Sequence, residues 1–142
     1  GERMPLFVRF SATDWAPGGW DEEQTSIAAG WAAELGADFF DISTGGLVRD
    51  VRIPVGPAYQ AAHAEFVGDR AGVSVSAVGR ITTPAQAEAL VASGAADAVM
   101  FGKAMMRDPH FALRAAHELG ADTSMWPPQY VRARPDLNDG EW

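Results

Sequence analysis

Two short apolar runs in this chain end in the same way. Val75-Ser76-Ala77-Val78 stops at Gly79-Arg80, and Ala98-Val99-Met100-Phe101 stops at Gly102-Lys103. Glycine lets a backbone approach an anion closely, and the free N–H groups of a helix start point toward it. Arg80 and Lys103 add charge, Lys as a point charge without the fork of Arg. This pattern is the chemistry of a phosphate site. The competing reading is two tight strand-to-helix turns with solvated cations, and the recurrence on successive strands favours the phosphate site. A third cation, Arg9, interrupts the apolar stretch Phe7-Val8-Arg9-Phe10. It reads either as a strand-edge charge or as a guanidinium aimed into a site, where a buried Arg would need a partner.

Composition narrows the possibilities. The chain has 142 residues, 47% apolar and 21% charged, enough for one domain with a core. No apolar run approaches the length needed to span a bilayer, and the start does not read as a signal peptide. With no cysteine there is no disulfide framework or thiolate chemistry. These features fit a cytoplasmic protein. A net charge of −8 argues against nucleic acid as a partner. His63, His110 and His117 are scattered and lack metal-ligand spacing.

The elements that must position these residues alternate. Residues 5–12 predict a first strand, nearly continuous in apolar character, as for a parallel strand covered on both faces. A Pro- and Gly-containing loop with Trp15 and Trp20 follows. Asp21 and Gln24 form a capping box for a helix ending at Gly36. Residues 38–43 predict the second strand. The loop 47–57, with Arg49 and Arg52, is either a functional loop or an ordinary surface connection. Residues 58–70 predict a second helix with a Tyr59, Ala62, Phe66 and Val67 stripe. The third strand covers 73–78, and Thr83-Pro84-Ala85-Gln86 caps the third helix. The fourth strand covers 98–101. Residues 103–107 form one short extra turn, and Asp108-Pro109 caps a last helix over 111–119. Leu35-Gly36-Ala37-Asp38 and Ser93-Gly94-Ala95-Ala96-Asp97 are a weak internal repeat, begun a third time at Gly120-Ala121-Asp122.

Strand–helix alternation predicts a parallel sheet with right-handed crossovers, an α/β fold. The first strand exits through Ser11-Ala12-Thr13-Asp14, without the glycine fingerprint of an open dinucleotide-binding sheet. Barrels commonly place a phosphate after strands seven and eight, beside a short extra helix. The reading is therefore the C-terminal half, strands 5 to 8, of a TIM (β/α)8 barrel over residues 1–122, with a polar-aromatic tail over 123–142.

Several motifs in order resemble the old yellow enzymes, and within them the bacterial xenobiotic reductase-like ene-reductases. They are Pro5-Leu6-Phe7-Val8-Arg9-Phe10-Ser11-Ala12, the Gly18-Gly19-Trp20 loop, Asp41-Ile42-Ser43-Thr44-Gly45-Gly46, Ala77-Val78-Gly79-Arg80-Ile81-Thr82, and Phe101-Gly102-Lys103-Ala104-Met105-Met106-Arg107-Asp108-Pro109. Trp126-Pro127-Pro128-Gln129-Tyr130-Val131-Arg132 resembles that branch's tail.

The resemblance implies an FMN-dependent enzyme that uses NAD(P)H to reduce activated alkenes such as enones. It implies Arg9 at the N1/O2 edge of the flavin, and Gly79, Arg80, Gly102 and Lys103 around the FMN phosphate. Lys103 stands where the family usually has Arg. Trp126 and Arg132 would reach a neighbouring subunit's site in a homo-oligomer, Arg134 being the weaker candidate. The family's substrate-polarising pair and proton-donating Tyr belong to a half absent here, and neither Tyr59 nor Tyr130 sits in the matching motif. No catalytic residue is therefore assigned. The partner expected is that N-terminal half-barrel or a second copy of this chain, because exposed sheet edges favour association. Two alternatives remain: a non-catalytic, self-associating half-barrel that binds FMN or phosphate, and another phosphate-binding barrel enzyme. For the latter, Lys103 is the only lysine and lies outside any strand, which disfavours Schiff-base chemistry.

Overall fold

The computed structural model describes residues 4–121 and 124–134. Strands β1 (Phe7–Ser11), β2 (Phe39–Ser43), β3 (Val75–Ala77) and β4 (Ala98–Val99) form one parallel sheet in the order β1-β2-β3-β4. The helices that follow them are α1 (Glu22–Glu34), α2 (Ala61–Ala71), α3 (Pro84–Ala92), the short α4 (Lys103–Arg107) and α5 (Phe111–Glu118). A 3-10 helix, Pro128–Ala133, lies in the tail. The alternating α/β architecture is as the sequence predicts.

Side chains alternate across each strand, so one face collects Val8 and Phe10 of β1, Phe40 and Ile42 of β2, Val75 and Ala77 of β3, and Val99 of β4. The helices cover this face with Ala29, Ala61, Ala64 and Val67. Burying a side chain the size of Phe40 or Ile42 contributes roughly 1.5–3 kcal/mol. Small alanines on α1 and α2 let the helices approach the sheet and each other closely.

The expectation that β1 is covered on both faces does not hold. Its second face carries Phe7, Arg9 and Ser11, and Phe7 is 69% exposed. The register aligns Arg9 with Asp41, Asp41 with Ser76, and Ser76 with Ala98, so a polar row crosses this face. Apolar bulk at Phe7 and Phe10 hides the period-two pattern in the sequence.

The repeated helix-to-strand phrase has a shared structural role. Asp38 Oδ2 accepts from the Leu6 N–H, and Asp97 Oδ2 accepts from the Val75 N–H, both at 2.8 Å. Each Asp thus fastens the start of the strand before it, while the preceding alanine, Ala37 or Ala96, is buried. The third copy of the phrase ends at Asp122. That residue, Thr123 and 135–142 lie outside the described residues, and so does the boundary between the β/α units and the tail.

Caps follow the sequence with small shifts. Asp21 and Gln24 form the full reciprocal box. Thr83 Oγ1 accepts from the Gln86 N–H, but Gln86 Oε1 accepts from Thr82 rather than closing the box on Thr83. Helix α2 begins at Ala61 instead of Ala58, because Ala58 takes a left-handed φ of 51° that a helix cannot include. Its buried stripe is accordingly Ala61, Ala64 and Val67. Asp108 stands ahead of α5 and accepts from the His110 N–H at 3.1 Å. No helix among the described residues is long and apolar enough to cross a membrane.

Candidate functional site

The two glycine–cation turns come together. Val78, Gly79, Arg80, Ile81 and Thr82 leave β3, Met100, Gly102, Lys103, Ala104 and Arg107 leave β4, and all of them line one cleft of about 730 Å³. Val55 and Tyr59 close it from the segment ahead of α2. The cleft holds three cations, Arg80, Lys103 and Arg107, in a chain whose net charge is −8. Among the described residues, none that line it is acidic.

Backbone geometry adds to this. Gly79 has φ 110° and Arg80 φ 53°, so two successive residues lie in the left-handed region. For Arg80 that conformation costs roughly 1–3 kcal/mol, strain that surrounding structure must hold. Ile81, 4% exposed, anchors the turn to the core. The main-chain N–H groups of Gly79, Arg80, Ile81, Gly102 and Lys103 donate to no acceptor among the described residues. A cleft with free amides and cations suits a dianionic phosphate ester. By that test the residues present fit the phosphate end of a nucleotide such as FMN.

Arg9 lies elsewhere, outside the cleft lining. Its Nη1 is 3.1 Å from Asp41 Oδ2, an ion pair whose angle falls short of a hydrogen bond. Its Nε donates to Ser43 Oγ at 3.4 Å. Asp41 also accepts from Ser76 Oγ at 2.8 Å. Asp41 therefore bridges Arg9 and Ser76 across three strands. The Arg9 side chain is 56% exposed, while its guanidinium is held against Asp41 and Ser43.

Trp126 and Arg132 lie outside the cleft lining as well. Trp126 is half-buried, and its indole N–H has no acceptor among the described residues. Arg132 is exposed on the 3-10 helix. That helix rests on the start of α5, where the Tyr130 and His110 rings are 5.3 Å apart.

Sequence reasoning missed Gln60, Asp41 and Arg107. Gln60 gives no sequence signal, since it precedes a helix as a non-capping residue. Asp41 could have been found, because it sits mid-strand next to a strand that carries a mid-strand Arg. Arg107 ends the short helix one turn after Lys103, a spacing that puts both on one side.

Residues 1–122 match the NADH:flavin oxidoreductase / NADH oxidase family. The chain belongs to that family. Among curated proteins, this chain is similar to "NADPH dehydrogenase" of Listeria monocytogenes serotype 4a (strain HCC23). The two are 42% identical over 129 residues, covering 91% of this chain and 38% of the relative. "NADPH dehydrogenase" of Listeria innocua serovar 6a matches with the same identity and coverage. The chain thus spans well under half the length of these relatives. The old yellow enzyme resemblance read from the motifs and the family match agree.

Proposed function

We propose that this chain supplies the flavin-phosphate end of an FMN-dependent ene-reductase and forms strands 5 to 8 of its TIM barrel. The observation that carries the reading is the single cleft shared by Gly79-Arg80 and Gly102-Lys103, with unpaired main-chain N–H groups around it. Bound there, FMN would supply the hydride relay from NAD(P)H to an activated alkene.

The chain's own residues bind and orient. Gly79 and Gly102 allow close approach, and Arg80 and Lys103 neutralise the phosphate. Arg9 carries the charge for the N1/O2 edge of the flavin ring, where a fixed cation favours added electron density. Asp41 and Ser43 hold that guanidinium in place. Trp126 and Arg132 are the tail residues assigned to a neighbouring subunit's site in a homo-oligomer. The polarising and proton-donating groups come from the rest of the barrel, so activity needs that N-terminal half. A cytoplasmic location goes with this reading.

Support for a covering partner comes from β1 and α1. Leu6, Phe7, Ile27, Trp31 and Leu35 are all more than half exposed. Ile27 and Trp31 of α1 and Leu35, its C-cap, recur every four residues, the pattern of a helix face that meets another element. The same stripe favours a second reading, a non-catalytic half-barrel that covers itself with a copy and keeps phosphate affinity.

The test is spectroscopic. The purified protein is incubated with FMN, desalted, and its visible spectrum recorded, alone and with the segment that completes the barrel. Retained flavin that bleaches with NADPH under anaerobic conditions and recovers with cyclohexenone supports the ene-reductase. Retained flavin without bleaching in either sample selects the second reading. Failure of both samples to retain flavin sinks the proposal.

A further inference from the structure

The side chain of Gln60 is 4% exposed and spans the turns that leave two different strands. Its Oε1 accepts from the Thr44 N–H at 2.6 Å and from Thr44 Oγ1 at 2.8 Å, just after β2. Its Nε2 donates to the Val78 carbonyl at 3.1 Å, just after β3. A Cβ added at Gly79 would lie 2.5 Å from that nitrogen and 2.9 Å from Tyr59 Cε1. Gln60 therefore fills the space that a side chain at Gly79 would need. It also fixes the carbonyl directly ahead of the left-handed pair Gly79-Arg80.

We propose that Gln60 is a positioning residue for the phosphate end of a flavin nucleotide, acting through the Gly79-Arg80 turn. The inference rests on the phosphate-binding reading above and names what holds that cradle in shape. A carboxamide is the one side-chain group here that both accepts from Thr44 and donates to Val78. With its acceptor on one turn and its donor on the other, it sets their separation. The unpaired amides of Gly79, Arg80 and Ile81 then face the cleft in a fixed arrangement rather than having to be ordered by the ligand.

Gln60→Glu keeps the size and the acceptor, but sets a carboxylate against the Val78 carbonyl. The turn should move and the cradle should open. A riboflavin molecule has the ring and ribityl chain without the phosphate, so the FMN-to-riboflavin affinity ratio isolates the cradle. The experiment titrates FMN and riboflavin into the purified protein and reads flavin fluorescence, with thermal melting as a check of folding. The parent protein should prefer FMN by about tenfold or more, as expected of charge-assisted phosphate contacts. In Gln60→Glu, FMN affinity should fall about tenfold while riboflavin affinity changes by less than about twofold, a loss confined to the phosphate.

Equal losses of both ligands, or an unchanged ratio, would overturn the inference. A parent protein with no preference for FMN would overturn the phosphate-binding reading itself, and the inference with it. Should Gln60→Glu fail to fold, Thr44→Val carries the test, because it removes one of the two bonds to Oε1. It should lower the ratio by about threefold, and an unchanged ratio there overturns the inference too.

Discussion

Asp41 lies 3.1 Å from the Arg9 guanidinium and is aligned with it in the register of adjacent strands. An arginine that looks misplaced in an apolar run is thereby balanced by a nearly buried carboxylate. Removing the guanidinium leaves Asp41 with the Ser76 hydroxyl as its side-chain partner among the described residues. Because Arg9 is more than half exposed, Arg9→Ala should destabilise the fold by only about 1 kcal/mol in urea titration. FMN affinity should fall further, about tenfold or more, as for loss of a charge-assisted hydrogen bond. Unaltered flavin binding would remove the ring-edge assignment.

The two cradle glycines should respond differently to a methyl group. Gly79→Ala meets Gln60 and Tyr59 while holding φ 110°, so it should cost about 1–3 kcal/mol in thermal unfolding. At Gly102 the added Cβ would meet open space and φ is −93°. Gly102→Ala should therefore cost less, and equal losses would contradict the packing described at Gly79.

Lys103 gives a gain-of-affinity prediction. Lys103→Arg restores a planar fork able to hold two phosphate oxygens, and should tighten FMN binding about threefold in fluorescence titration. Lys103→Met should weaken it about tenfold, with little effect on melting because Lys103 is exposed. The phosphate assignment of Lys103 is wrong if both variants bind as the parent does.

Acid stability should report on the start of α5. The Arg114 guanidinium hydrogen-bonds Asp108 at 2.8 Å and holds its carboxyl below the usual range. Partial desolvation opposes this, and the His110 N–H assists it. Arg114, which also pairs with Glu118, is correspondingly raised. A depressed carboxyl contributes stability that is present above its unfolded value, about 4, and is lost as pH falls through the native value. Asp108→Asn should remove that contribution at neutral pH, so parent and variant should converge in melting temperature under acid. A gap between them that stays constant down to strongly acidic pH would contradict this origin.

The exposed stripe on α1 predicts self-association. Trp31→Gln with Leu35→Gln should lower the sedimentation coefficient toward that of a monomer at micromolar concentration. Melting at the same concentration should fall with it, since association stabilises the folded chain. If parent and variant sediment alike, this stripe covers nothing.

Much of the fold was legible because strands and helices announce themselves by periodicity, caps and glycine stops. Asp21 with Gln24, Pro84 at a helix start and the Asp38 and Asp97 phrases were all visible in one dimension. The pairing of Gly79-Arg80 with Gly102-Lys103 could be inferred because a parallel sheet puts successive strand ends side by side. Gln60 could not be read this way. Its importance comes from bonds to Thr44 and Val78, residues 16 and 18 positions away, and no local pattern encodes such a brace. The start of α2 was misplaced for a related reason, since the left-handed turn at Ala58 is imposed by packing rather than by residue type. The two-faced character of β1 was obscured by Phe7, an apolar residue on the exposed face.

The aspartate fastenings at Asp38 and Asp97 reach backward, each holding the strand that was synthesised before it. Among the described residues the strands pair in sequence order, so contacts close over short spans of chain. As the chain leaves the ribosome, β1 can be secured once β2 has emerged, and β3 once β4 has. Assembly of these four strands can thus follow the order of translation, with a lag of one unit.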